Sequence, residues 1–318
     1  EVISATKAMR NGKAVGIDGI PVEVFKNGGP AMRSWIQKVF QVVWDTGRMP
    51  REWDGAKRRS TEIQNYRGIS LQPHICKICG RILETQRHTI VEEKPDECQH
   101  GFQPGRGTID LVFVLRMMVE RSWEWNVPQY MAFLDLEKAF DRIPRKKLWE
   151  VLEDPVYSIA PKLLRAVKGM YSVCESIARL QHGNEKWFTV RSSVQQGSIL
   201  SPLLFILYMD AIIKKVGNSS ASYVYAGDVA VVEKSAEDLQ NTVEKWNTAF
   251  KKYGMKLSTP KSEIVVIRKG QEQSSVIIYG TKLKQVSQFK YLGAQISVNG
   301  KIEEEITARI KKLAIMLH

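Results

Sequence analysis

The stretch Tyr130-Met-Ala-Phe-Leu134 constrains this chain more than any other, because its residues are aromatic, small or aliphatic and it stops on a carboxylate, Asp135. A run of that length without polar alternation reads as a short strand covered on both faces. Asp135 then falls at the strand's C-terminal edge, desolvated enough to bind a hard cation and open enough to meet a substrate. An isolated aspartate at such a place is more often a cap on the following turn, so a chemical role needs a second acidic element within reach.

The chain supplies one. Ser222-Tyr-Val-Tyr-Ala-Gly-Asp-Val-Ala-Val-Val232 sets two β-branched and aromatic runs around Ala226-Gly227-Asp228, which predicts a tight hairpin carrying Asp228 at its tip. Two carboxylates on neighbouring backbone segments are a minimal arrangement for Mg²⁺, which takes one or two protein carboxylates and completes its shell with substrate phosphates. Two such ions can clamp the attacking and leaving oxygens of an in-line phosphoryl transfer, so the residues point to a nucleotidyl transferase.

Charge agrees with a polyanionic substrate. The 318 residues hold 47 Lys and Arg against 34 Asp and Glu, a net charge of +13. Nucleic acid is the commonest partner for such an excess. A membrane surface fits less well, since the basic residues are scattered, as in Lys57-Arg58-Arg59, Arg145-Lys146-Lys147 and Lys311-Lys312, and do not line one amphipathic helix. No apolar run approaches a membrane span and Glu1-Val-Ile-Ser is no signal peptide, so an intracellular protein, nuclear or cytoplasmic and not secreted, is expected. The opening on Glu1 without Met and the helical pattern running to His318 predict a piece of a longer protein. Four cysteines argue against a disulfide framework. Cys76-x-x-Cys79 and Cys98-x-His100 are zinc-type ligands, but Ile75 to Leu83 reads as helix, which favours buried core cysteines.

Helices are predicted over Val2 to Met9, Pro30 to Thr46, about Pro73 to Glu92, from Thr108, over Lys147 to Leu152 and Pro161 to Tyr171, and to Lys214. Ser235-x-x-Asp238 resembles a capping box at the start of a helix that ends at Gly254, and a last helix begins near Ile302. Strands are expected on either side of His182-Gly-Asn184 and at Ile264 to Arg268, Ser275 to Tyr279 and Gln288 to Leu292. No Walker pattern occurs, and the loop Gln99 to Gly107 delivers Arg106 to the start of a helix, a placement suited to phosphate oxygens.

Taken in order, Asn65-Tyr-Arg-Gly-Ile-Ser-Leu71, Gly101-Phe-Gln-Pro-Gly-Arg-Gly-Thr108, Phe133-Leu-Asp-Leu-Glu-Lys-Ala-Phe-Asp141, Gln196-Gly-Ser-Ile-Leu-Ser-Pro202, Tyr225-Ala-Gly-Asp228, Lys261-Ser262 and Tyr291-Leu-Gly293 resemble the reverse transcriptase domain of non-LTR (LINE-type) retrotransposons. The resemblance covers nearly the whole chain. It implies an α+β, right-hand polymerase fold: helical fingers over 1–129, an antiparallel palm sheet with packed helices over 130–300 with an insertion at about 155–190, and a truncated thumb from 301 to 318. It also implies an RNA template, a DNA primer, deoxynucleoside triphosphates and two Mg²⁺ or Mn²⁺ ions. By the same resemblance Asp135, with the Leu136 carbonyl, is similar to the palm metal site. Phe140 resembles the aromatic that crowds the sugar 2′ position, and Gln196 and Gly197 the segment beneath the incoming nucleotide. Arg106 looks like a fingers phosphate contact, Lys261 like the acid for the pyrophosphate leaving group, and Tyr291, Leu292 and Gly293 like the primer grip.

The chain departs from the pattern at the hairpin tip, where the family has Ala-Asp-Asp and this sequence has Gly227 in place of the first, metal-binding Asp. Gln103 and Gln195 stand where Arg is usual and Ser258 where Asn is frequent, and Pro260 crowds the backbone before Lys261. Between Trp53 and Asn65 the chain is shorter than the pattern, which predicts a missing fingers strand. The departures predict a decayed or domesticated copy with impaired polymerase chemistry, or alternatively a pseudoenzyme that binds nucleic acid without catalysis. A plain metal-dependent nuclease is disfavoured, since no His and Asp or Glu cluster supplies a hydrolytic site.

Overall fold

The computed structural model describes residues 1–16, 18–50, 55–59, 70–86, 96–172, 175–179, 186–189, 192–195, 197–217, 221–268, 273–300, 306–307 and 310. The described elements, in chain order, are α1 (Val2–Lys7), α2 (Val22–Asn27), α3 (Gly29–Thr46), β1 (Gly55–Arg59), β2 (Ser70–Leu71), α4 (His74–Thr85), α5 (Thr108–Trp125), β3 (Gln129–Leu134), α6 (Ala139–Arg142), α7 (Arg145–Leu152), α8 (Pro161–Gly169), β4 (Glu175–Arg179), β5 (Lys186–Thr189), α9 (Ser201–Val216), β6 (Ala221–Tyr225), β7 (Asp228–Glu233), α10 (Ala236–Lys252), β8 (Glu263–Ile267), β9 (Ile277–Ile278), β10 (Thr281–Lys282), β11 (Lys284–Gln285), β12 (Gln288–Tyr291) and β13 (Ala294–Ser297). They fall into two compact units, Glu1–Lys94 with Phe140–Tyr208, and Pro95–Ala139 with Met209–His318. Residues 95–129, which the sequence reading groups with the fingers, thus belong to the unit that contains β3.

In the first unit, α1 to α4 close around Ala5, Val22, Phe25, Ile36, Ile75 and Ile78. Cys76 and Cys79 are buried within α4, as the core reading of that pair expects, and burial pushes the Cys79 thiol up to about 12. The sheet of this unit has the order β2-β1-β4-β5, with β1 parallel to β4 and antiparallel to β2. The expected missing strand is corrected here: Gly55–Arg59 lies in the short interval and pairs along both edges. β4 and β5 pair antiparallel from Glu175↔Thr189, as a hairpin would, while its turn at 182–184 lies outside the described residues.

The second unit is built on a five-stranded sheet of order β11-β8-β3-β7-β6. β3 sits in the middle and is buried from Tyr130 to Leu134, because both faces are covered. On one face Met131, Phe133, Ala230, Val232, Val265 and Ile267 meet Leu111, Leu115 and Val119 of α5 and Tyr291 and Ile296 of the β12–β13 hairpin. Against the other lies α10, with Leu239, Val243, Trp246 and Phe250 buried at helical spacing. Its N-terminus is capped as expected, Ser235 Oγ accepting from the Asp238 N–H at 3.0 Å.

Several boundaries differ from expectation. The edge strand β11 runs parallel to β8, so the palm sheet is not wholly antiparallel. The strand expected over Ser275 to Tyr279 contracts to Ile277–Ile278, because Tyr279 (φ 52°) and Gly280 (φ 74°) turn the chain back into β10. The described part of the fourth helix ends at Thr85, and residues 87–95 and 301–305, with the expected helix tail and thumb start, lie outside the described residues.

Phe133 stacks on Phe289 at 4.2 Å between ring centroids and is 1% exposed, two residues before Asp135. Phe133→Ala is expected to lower the unfolding free energy by about 3–5 kcal/mol through the cavity it leaves, measured as a shift in the urea midpoint of the whole chain.

Candidate functional site

The register of the sheet decides where the carboxylates go. β3 pairs with β7 as far as Leu134↔Val229, and β6 pairs with β7 as far as Tyr225↔Asp228. Carried one step beyond its last paired residues, the same register would set Asp135 across from Asp228, and both residues line one cleft. β3 also pairs with β8 as far as Phe133↔Glu263, and the same extension sets Lys261 beside Asp135 on its other flank. The Lys261 Nζ to Asp135 Oδ2 distance is 4.0 Å. Alternation then puts Asp135 and Asp228 on the face that also carries Phe133 and Ala230.

That face opens into a cleft of ≈ 370 Å³ whose lining includes Asp135, Asp228, Lys261, Glu263, Tyr291 and Leu292. Tyr291 is nearly fully buried, and its phenol is pushed up first by burial and then by the Asp228 carboxylate, so it stays protonated. The hairpin turn Leu292 (φ 48°)-Gly293 (φ 88°) has positive φ at both central residues, the pattern of a type I′ turn. Glu263 was not anticipated from the sequence; it faces Lys284 at 3.8 Å.

The backbone of Asp135 is held from both sides by the segment Ser258–Ser262. The Ser258 N–H donates to the Asp135 carbonyl at 2.8 Å, and the Asp135 N–H donates to Ser262 Oγ at 3.2 Å. Ser258 and Ser262 are both buried, and the turn between them is closed by Ser262 N–H to Ser258 O at 2.9 Å. Sequence reasoning registered Ser258 only as a departure and missed Ser262 as a support for Asp135; the Lys261-Ser262 pair was its only visible signal. Leu136 is buried and bridges to Leu257, continuing the same grip.

At the hairpin tip the turn has its positive φ on Ala226 (55°), and Gly227 lies outside that region. A two-residue turn with positive φ at its first central position follows the type II′ pattern, which normally places glycine first. Here alanine occupies the strained place, at a cost of about 1 kcal/mol, so the positive φ of this turn is carried by Ala226 and not by Gly227.

Arg106 is half-buried, and its guanidinium donates to the carbonyls of Glu97 (2.7 Å) and Gln99 (2.9 Å), tying its own loop together. Gln103 does the same, Nε2 to Gln99 O at 2.8 Å. In the first unit, Phe140 stacks on Phe205 at 4.5 Å, and the Phe140 carbonyl accepts from the Val194 N–H at 3.0 Å. Gln195 joins Gln72 side chain to side chain, Gly197 is exposed with φ 104°, and Gln196 lies outside the described residues. The cleft therefore gathers Asp135, Asp228, Lys261, Tyr291 and Leu292, while Phe140 and Gly197 belong to the other unit.

Two opposed carboxylates fit the donor set of Mg²⁺ or Mn²⁺, hard ions that fill their shell from substrate phosphates and water. Among the described residues no group of three or more His, Cys, Asp and Glu is placed to hold a metal by protein ligands alone.

The fold has known counterparts. The chain resembles a solved structure of apo telomerase from Candida tropicalis with a TM-score of 0.54 at 12% identity, covering 85% of this chain and 59% of that one. The fold is that of the right-hand polymerases. Residues 56–296 match the family model described as reverse transcriptase (RNA-dependent DNA polymerase), and the chain belongs to that family. It is 24% identical over 273 residues to the Retrovirus-related Pol polyprotein from type-2 retrotransposable element R2DM of Drosophila melanogaster, covering 79% of this chain and 25% of the relative. It is 24% identical over 321 residues to the putative 115 kDa protein of type-1 retrotransposable element R1DM of the same species, covering 93% and 30%. A transposon TX1 protein of Xenopus laevis is 24% identical over 263 residues, 77% of this chain and 20% of that protein. The relatives are non-LTR retrotransposon proteins, and the chain spans only about a fifth to a third of their length.

Removing the Ser262 hydroxyl leaves the Asp135 N–H without that acceptor. Ser262→Ala is expected to cost about 1–3 kcal/mol, read from denaturant unfolding, with Ser262→Thr recovering most of it.

Proposed function

We propose that this chain is the RNA-directed DNA polymerase domain of a non-LTR retrotransposon, with nucleotidyl transfer impaired by Gly227. The observation that supports the reading is the meeting of Asp135 and Asp228 at one end of the sheet, with Lys261 4.0 Å from Asp135, in a cleft bounded by Tyr291 and Leu292. Bound divalent metal would supply charge neutralisation at the attacking and leaving oxygens. Asp135 and Asp228 are the residues to hold it. The Leu136 carbonyl would lie beside them, as the family resemblance implies.

The remaining roles are those that the family resemblance implies. Lys261 has an exposed ammonium and can deliver a proton to the departing pyrophosphate. The Tyr291-Leu292-Gly293 turn would seat the primer end, as the family resemblance implies, with positive φ at both Leu292 and Gly293. By the family resemblance, Arg106 in the loop that precedes α5 is the phosphate contact, and Phe140, Gln196 and Gly197 are the residues for the incoming nucleotide. The +13 charge suits binding an RNA template and DNA primer, and such binding weakens as salt rises. None of the described helices is long and apolar enough to cross a membrane.

Gly227 also favours a second reading, a nucleic-acid-binding pseudoenzyme. One missing charged ligand worth about 4 kcal/mol of transition-state stabilisation would slow transfer about a thousandfold. Primer extension on an RNA template in Mg²⁺ and Mn²⁺ separates the readings. The impaired-polymerase reading expects Gly227→Asp to raise the rate by about 10²–10³ over the unmodified chain. Salt-dependent duplex binding with no incorporation by either protein would establish the pseudoenzyme, and full activity of the unmodified chain would overturn the impairment.

A further inference from the structure

The loop that precedes α5 grips the hairpin turn from behind, through a residue to which no role has yet been assigned. Gln99 is fully buried. Its Oε1 accepts from two backbone donors, the Gly101 N–H at 2.8 Å and the Ala226 N–H at 3.1 Å. Two N–H groups converging on one atom require that atom to be the amide oxygen. The surrounding backbone fixes Gln99 in turn: it forms a parallel bridge to Val224, the His100 N–H donates to Val224 O at 2.7 Å, and the Val224 N–H donates to Cys98 O at 2.8 Å. The loop start is anchored as well, the Asp96 N–H donating to buried Asp210 at 2.8 Å.

Gly101 completes the clamp by contact. A Cβ there would lie 2.3 Å from the Ala226 nitrogen, closer than real Cβ contacts come. The turn thus rests on bare backbone at Gly101 while its N–H is held by Gln99. Ala226 is the residue with the unfavourable positive φ, and such a conformation persists only where its surroundings over-determine it.

We propose that Gln99 is a positioning residue, whose side-chain oxygen holds the Ala226-Gly227 turn in the shape that aims positions 227 and 228 into the cleft. It touches neither substrate nor metal. The catalytic consequence rests on the polymerase reading, while the clamp itself does not, so two readouts keep them apart.

The first readout is amide hydrogen exchange in the full chain with ¹⁵N-alanine labelling, taking Ala226 relative to Ala132 of β3. Gln99→Leu should speed Ala226 exchange by about tenfold relative to Ala132, and Gln99→Glu, which keeps an acceptor, should bring the ratio back to within about twofold. A merely structural residue would raise both rates together. The second readout is primer extension in the Gly227→Asp background, where Gln99→Leu should lower kcat about tenfold with the KM for the nucleotide within about twofold. Gly101→Ala, which leaves the Gln99 amide in place and pushes the turn instead, should lower kcat likewise and serves if Gln99→Leu does not fold. An unchanged Ala226 ratio in Gln99→Leu, or a Gln99→Glu protein that behaves like Gln99→Leu, overturns the clamp. Failure of Gly227→Asp to extend any primer counts against the polymerase reading, and the exchange ratio then decides the clamp alone.

Discussion

Everything in the second unit depends on the burial of β3 on both faces. A strand with α10 on one side and α5 with the β12–β13 hairpin on the other cannot slip by one residue, because a slip would exchange its two apolar sets between differently shaped surfaces. The fixed register places Asp135 just past the last apolar residue, opposite Asp228 and beside Lys261. Packing that has no chemistry of its own therefore sets the geometry of the charges.

Much of this was legible in local sequence. The run Tyr130 to Leu134 shows its burial through missing alternation, the β6–β7 hairpin through two β-rich runs around Ala226-Gly227, and α10 through the Ser235 cap and its helical spacing. The supports of the site were hidden because they join distant segments. Nothing near Ser262 announces that its hydroxyl will meet the Asp135 N–H, and nothing near Gln99 announces Ala226, 127 residues away. β1 and the parallel edge β11 were missed for the same reason: a strand of two to five residues is recognised by its partners more than by its composition. The turn at Ala226 misled in another way, since local preference assigns positive φ to glycine, and tertiary contact gave it to the alanine.

The two carboxylate-bearing segments are held by similar means. Asp135 is gripped at its peptide N–H and carbonyl by Ser262 and Ser258, and the opposing turn is gripped at Ala226 by Gln99. Both grips act on backbone and not on the carboxylates. Neutral partners serve this purpose better than charges would, because an anionic acceptor would compete with the carboxylates for a cation and a cationic donor would compete with the cation for the carboxylates. Lys261, mostly exposed and 4.0 Å from Asp135, stays at the edge of that competition.

Gly227 separates what the fold requires from what chemistry requires. The positive φ of the turn falls on its neighbour Ala226, so a left-handed backbone is not what the glycine supplies. The apolar residues that fix the register are intact, as are the serine and glutamine supports. An aspartate at 227 would add a third negative charge near Asp135 and Asp228, a repulsion that a bound cation offsets beyond what the exposed Lys261 supplies. Without that cation, glycine is the less costly occupant of the tip. The fold therefore holds its register with a glycine at the tip, because the contacts that set that register lie in the apolar faces of the sheet and not in the charge at 227.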